Sequence, residues 1–360
     1  RVQWSDAIFC IAPRRAFTDT DLPYAPSPGM TALLVSHQCN IDHGAELRAF
    51  AAQEDHRLEL IVLPPERDAR LSDADCARVA TAFFSSDVFP AYSRQFFSVA
   101  RKAANLKWLH VFNAGVDHPI YGEMLERGVR LTTSSGSAAA PIAQTAIAAL
   151  LMLARNFPHW IAAQRKHAWE PMLGRDVPPD LAGQTVLILG LGHIGKAFAH
   201  IARALGLHLI GVRRRAGGTD DAVDELHAPD KLADLLPRAQ WLVVACPLTA
   251  ETRGVIDAAA LARLPRGARL INVARGEIVS APALVAALQS GYLAGAYLDV
   301  FEKEPLPSDS PLWDMPNVLL SPHNCAAASG NDARVYALFR DNLRRWMRGA
   351  PLLNEVPRVK

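Results

Sequence analysis

The chain has 360 residues, half of them hydrophobic, and its charges nearly cancel at +2. That length is too great for one comfortable core and predicts two domains, while the charge balance argues against nucleic acid or a membrane surface as a partner. The five cysteines, Cys10, Cys39, Cys76, Cys246 and Cys325, are scattered without a Cys-x-x-Cys pair, which argues against a disulfide framework or a metal site and fits a cytoplasmic protein.

In chain order, residues 1–30 come first. They contain Pro13, Pro23, Pro26, Pro28 and Gly29 and lack the charged start and long apolar core of a secretory signal. They read as an extension of uncertain order. Apolar runs at 31–36, 58–63, 79–84, 108–112 and 129–132 follow, alternating with stretches of helical spacing such as 44–53. The runs lack strict polar alternation, as expected of parallel strands covered by helices on both faces. An apolar helix near 142–155 connects to a second unit; it is too short, and too polar at Gln144 and Thr145, to span a bilayer.

The second series of strand-sized runs is 185–189, 208–212, 241–245, 270–273, 295–298 and 318–320. Helices between them include 193–205, closed by Gly206, and 281–290, closed by Gly291. An amphipathic helix over 333–348 ends the pattern. Two consecutive βαβ series predict an α/β protein with two doubly wound parallel-sheet domains.

The run 185–189 leads directly into Gly190-Leu-Gly192-His193-Ile194-Gly195 and then a helix. In this context Gly190 allows a tight turn, Gly192 lets backbone approach a pyrophosphate, and Gly195 lets helix pack on strand. The helix N-terminus offers N–H groups to phosphates, so these five residues are dinucleotide-binding candidates, with His193 as a helix-start residue and not a catalyst. The next strand ends in Arg213-Arg214-Arg215, where an acidic residue would select NAD. Arginine suits a 2′-phosphate instead, which predicts NADP as the preferred cofactor with NAD still possible.

Three further segments each follow the C-terminal end of a predicted strand, where open α/β sheets place ligands. They carry Arg275, Glu304 and His323. Arginine can hold a carboxylate through two parallel bonds, histidine can donate a proton to a carbonyl oxygen as hydride arrives, and glutamate can orient the imidazole and favour its charged form. The trio suits reduction of a ketone.

At these residues the chain resembles the D-isomer-specific 2-hydroxyacid dehydrogenase family, over most of its length from about Thr31 to Asn354. The resemblance is carried by the glycine loop, by Cys246-Pro-Leu-Thr-Ala-Glu-Thr252, by the run from Asn272 to Leu306, and by Pro311 to His323. It implies hydride transfer from NAD(P)H to a small 2-keto acid, glyoxylate- or hydroxypyruvate-like, giving a D-2-hydroxy acid. Arg275 and His323 would be substrate-binding as well as catalytic, with Ala114 and Gly115, in the stretch Asn113–Asp117, binding the substrate carboxylate. Cys246, Pro247, Thr252, Val273 and Ala274 would line the cofactor, and Asp299 would hold the nicotinamide carboxamide.

The same resemblance implies a Rossmann dinucleotide-binding domain (139–322) inserted in a flavodoxin-like substrate domain (31–138 and 323–360), a homodimer, and a cleft that closes on keto acid and nicotinamide. The chain departs from the family at Gln144-Thr145, where a Glu-His pair is usual, and at Asn324, where an apolar residue often follows the histidine. A non-catalytic NAD(P)-sensing scaffold, like the corepressors that share this fold, is the alternative reading.

Overall fold

The computed structural model describes residues 29–174, 177–214 and 223–357; most of the N-terminal extension and Arg215 lie outside this range. The chain divides into two compact units, one from the described residues up to Ser137 together with those from Ser329 onward, the other Ala138–Ala328. Residues 323–328, His323 included, thus belong to the second unit.

The first unit contains strands β1 (Met30–Val35), β2 (Arg57–Val62), β3 (Thr81–Phe84), β4 (Trp108–Val111) and β5 (Arg130–Thr133). They form one parallel sheet in the order β2-β1-β3-β4-β5, the flavodoxin-like arrangement. β1 starts inside the segment expected to be extension. The first helix runs His37–Gln53, seven residues longer at its start than its spacing predicts, because Ser36 caps it by accepting from the Cys39 amide and Gly44 makes room for the Asn40 side chain. The helix Asn331–Met347 returns to cover this sheet, stacking Phe339 on Phe83 at 4.0 Å between ring centroids.

Strand β4 carries a histidine where the pattern calls for an apolar residue. His110 is wholly buried, with Nδ1 2.7 Å from the Thr132 hydroxyl and Nε2 3.0 Å from the Ser134 hydroxyl. Trp108 Nε1 donates to Thr132, and the Ser134 hydroxyl donates to the Val111 carbonyl. The Ser134 proton is committed to Val111, so Nε2–H donates to Ser134, and in the neutral ring Nδ1 then accepts the Thr132 proton. A neutral imidazole uses every donor and acceptor of this network.

The second unit contains β6 (Thr185–Leu189), β7 (His208–Val212), β8 (Glu225–His227), β9 (Trp241–Val244), β10 (Arg269–Asn272), β11 (Gly295–Leu298) and β12 (Val318–Leu320). All pair in parallel, in the order β12-β11-β10-β9-β6-β7-β8. This is the Rossmann order with one added edge strand, and it reverses direction between β6 and β9. Strand β8 was not legible in the sequence; three half-buried residues are too few to show a period. The helix Ala139–Ala154 packs its buried face, including Ala143, Ala146, Ile147 and Leu150, against the sheet of this unit. No single helix among the described residues is long and apolar enough to cross a membrane.

Burial pushes the His110 imidazole down to about 3. The unfolded chain binds a proton near 6.5 and the folded chain does not, so stability is full above that value and falls as pH drops towards 3. Between pH 6.5 and 5 the loss is about 2 kcal/mol from this group. His110→Gln should be less stable at neutral pH yet flatter across that interval in urea unfolding; an unchanged slope would remove His110 as the source of acid sensitivity.

Candidate active site

Apart from Ala114 and Gly115, the residues singled out in the sequence follow the C-terminal ends of the second unit's strands. Gly190 leaves β6 at φ +104°, and a Cβ there would lie 2.5 Å from the Cys246 amide nitrogen. The turn after β6 and the turn after β9 therefore touch backbone to backbone at the point where strand order reverses. Gly195 sits directly on the Gly190 carbonyl, and Gly192 caps the helix His193–Ala204 with open space beyond it. His193 and Ile194 are the first residues of that helix. A free approach to backbone at Gly192 and a helix N-terminus behind it fit a dinucleotide pyrophosphate.

The neighbouring turns complete this edge. Arg213 follows β7, half-buried, its amide bonded to the His227 carbonyl at 3.1 Å, and Arg214 beside it is exposed. After β9, Cys246 is buried, which pushes its thiol up to about 11. The Thr252 hydroxyl lies 2.8 Å from the Pro247 carbonyl and closes that loop. Val273 and Ala274 are buried after β10. Ala114 and Gly115 follow β4 in the first unit, where Asn113 bonds the Gly115 carbonyl and accepts from Tyr121 at 3.0 Å.

Arg275 stands at the turn after β10. Its Nη1 donates to the Ala274 carbonyl at 2.7 Å, and Asn272 braces the turn, accepting from the Ala274 amide and donating to the Arg275 carbonyl, both at 3.0 Å. The next residue, Gly276, has no room for a side chain: a Cβ would collide with the backbone of Phe301 and Glu302. This contact locks the arginine turn onto the loop that carries Glu304.

Glu304 and His323 meet directly. Nδ1 of His323 lies 2.8 Å from one Glu304 oxygen, and the other accepts the Phe301 amide at 3.0 Å. The Glu304 bond raises the imidazole above its ordinary value, ahead of desolvation, which lowers it; the charges of Glu304 and Asp299 add to the rise and that of Arg275 opposes it. For Glu304, burial pushes the carboxyl up, but the bonds from His323 and Phe301, with the charges of His323 and Arg275, outweigh it and leave it lowered. With Nδ1 turned to Glu304, Nε2 is the nitrogen left to face a reacting group.

His323 is held in an unusual way. Its φ is +52°, left-handed for a residue with a side chain. The Asp299 carbonyl accepts the His323 amide at 2.7 Å. The Asp299 carboxylate, 2 % exposed, accepts on one oxygen from the Ser321 hydroxyl at 2.5 Å, the Asn324 amide at 2.8 Å and the Cys325 amide at 2.9 Å. The Tyr297 hydroxyl lies 2.7 Å from Ser321 behind it. Asp299 is thus the organiser of the histidine turn, a role that the sequence reading did not give it. Asn272, Gly276, Tyr297 and Ser321 were likewise missed, although all four lie inside or beside the quoted motifs.

Residues 147–325 match the family described as D-isomer specific 2-hydroxyacid dehydrogenase, NAD binding domain. A glyoxylate reductase of Korarchaeum cryptofilum is 34 % identical over 263 residues, covering 70 % of this chain and 76 % of that protein. A D-isomer specific 2-hydroxyacid dehydrogenase from Xanthobacter autotrophicus Py2, solved with NADPH and MES, aligns with a TM-score of 0.72 at 33 % identity over 91 % of this chain and 98 % of that one. An NADPH-dependent glyoxylate/hydroxypyruvate reductase from Sinorhizobium meliloti, solved with NADP and sulfate, gives 0.70 at 28 % identity, over 92 % and 99 %. Motifs, sheet order and matches agree, and the chain belongs to the D-isomer-specific 2-hydroxyacid dehydrogenase family.

Proposed function

We propose that the chain reduces a small 2-keto acid of the glyoxylate or hydroxypyruvate kind to its D-2-hydroxy acid, with NADPH preferred over NADH. The observation that carries the chemistry is the 2.8 Å bond between His323 and Glu304 at the C-terminal edge of the Rossmann sheet, within reach of the Arg275 charge. The nicotinamide cofactor supplies the hydride when bound. Nε2 of His323 donates the proton to the carbonyl oxygen, while Glu304 holds the ring through Nδ1 and steadies its charge. Arg275 pairs its guanidinium with the substrate carboxylate. The names of the Korarchaeum and Sinorhizobium relatives support a short keto acid as substrate. Initial rates of NADPH and NADH oxidation with glyoxylate, hydroxypyruvate, pyruvate and phenylpyruvate test this reading, and no turnover with any of them would contradict it.

His323→Ala should lower keto-acid reduction by about 10²–10⁴-fold, the usual worth of a positioned acid, with cofactor affinity little changed. Because Glu304 raises the imidazole's pKa, its protonated form persists above the ordinary range. Reduction in the unaltered protein should therefore hold beyond neutral pH and decline as pH rises through that raised value. A variant with near-normal turnover would take His323 out of the mechanism.

The NADPH preference is argued from Arg213 and Arg214 directly after β7, eighteen residues and more beyond Gly195. A guanidinium pairs with a 2′-phosphate and cannot accept from ribose hydroxyls. Charge-assisted bonds of about 1.5–3 kcal/mol correspond to a preference of about ten- to a hundredfold. Arg213→Asp should weaken NADPH selectively and shrink or invert the ratio of kcat/KM values. Equal efficiency with both cofactors in the unaltered protein would overturn the preference.

A further inference from the structure

We propose that Thr145 is a positioning residue for the proton donor: its hydroxyl, on the helix Ala139–Ala154, fixes the Cys325 carbonyl and with it the turn that aims His323 at Glu304. This rests on the reading of His323 as the acid. The Thr145 hydroxyl lies 3.1 Å from the Cys325 carbonyl oxygen and 3.0 Å from the Pro141 carbonyl one helical turn back. The single hydroxyl proton is shared between the two carbonyls as a three-centre bond, which also fixes the side-chain rotamer. Cys325 is buried, and its carbonyl accepts from the Thr145 hydroxyl.

The Cys325 backbone is gripped from two elements. Its amide belongs to Asp299, at the end of β11, and its carbonyl belongs to Thr145. His323, two residues earlier, occupies a left-handed conformation that costs free energy and persists only where the surroundings over-determine it. Asp299 holds the amide side of the turn, and Thr145 supplies the grip on the carbonyl side. With that grip lost, the carbonyl side of the turn loses its tie to the helix, the turn is free to relax, and the imidazole leaves its 2.8 Å contact with Glu304. Thr145 also belongs to the Gln144-Thr145 pair at which the sequence departs from its family, so this chain reaches the turn with its own residue.

The charged groups that act on His323 are Glu304, Asp299 and Arg275. The helix bearing Thr145, AAPIAQTAIAALLMLA, contains no titratable residue. Removing the hydroxyl therefore changes no charge near the imidazole, and any shift in the pH dependence of reduction reports a moved histidine. A weakened Glu304 contact lowers the imidazole's affinity for its proton, so the decline of rate with rising pH should set in at lower pH.

The test uses the full chain and the keto acid it reduces best. Thr145→Val and Thr145→Ala both delete the hydroxyl, one keeping the side-chain shape and one shrinking it; Thr145→Ser restores it. Both deletions should lower kcat by up to about 10²-fold, the scale of a small misplacement of a catalytic group. Both should move the alkaline decline of kcat to lower pH while cofactor Kd stays constant, and Ser should recover rate and pH profile. The inference is overturned if either deletion keeps the normal rate and pH profile, or if losses follow Tm alone and Ser does no better. His323→Ala is measured alongside. Should it turn over normally, the reading of His323 fails and this one with it; should it be inactive while Thr145→Val is normal, only the role of Thr145 fails.

Discussion

One buried carboxylate governs this site. Asp299 accepts the Ser321 hydroxyl and two successive amides on a single oxygen, and its own carbonyl accepts a third amide. A charge so deeply buried is tolerable only when its hydrogen bonds are made, and here they converge from one short turn. The turn in exchange takes a shape it would not take alone, with His323 left-handed. The imidazole then has Glu304 at Nδ1, the largest of the influences that raise its affinity for a proton.

The cofactor end of the sheet follows a different constraint, that of close backbone approach. Gly190 touches the turn after β9, and Gly276 touches the loop that leads to Glu304. Each is a place where a side chain would separate two loops that must work together. Strand order places these contacts where they are needed, since β6 and β9 are neighbours only because the sheet reverses between them. The arginines after β7 stand at the end of the neighbouring strand, Arg213 half-buried and Arg214 exposed.

Much of this was legible in the sequence, and the reason differs by element. Continuous apolar runs such as 185–189 and 295–298 coincide with β6 and β11, because a strand buried on both faces has nowhere to hide a polar residue. Gly190 and Gly195 stood out because their spacing is a consequence of local geometry. Strand β8 escaped because Glu225 and His227 are polar edge residues that share an ion-paired cluster with His208 and Arg238. The roles of Asp299 and Thr145 escaped for another reason: their partners lie 22 to 26 and 180 residues away, and no local pattern announces a hydrogen bond across that distance.

The central claim is that the Asp299-held turn presents His323 to Glu304 and thereby keeps the imidazole protonated beyond its ordinary range. An NMR titration of the His323 ring in the unaltered protein and in Glu304→Gln tests it most directly. The account predicts that His323 titrates above the free-imidazole value of about 6.5 and that the Gln variant brings it down. A histidine that titrates at or below that value, unmoved by the substitution, would contradict the account.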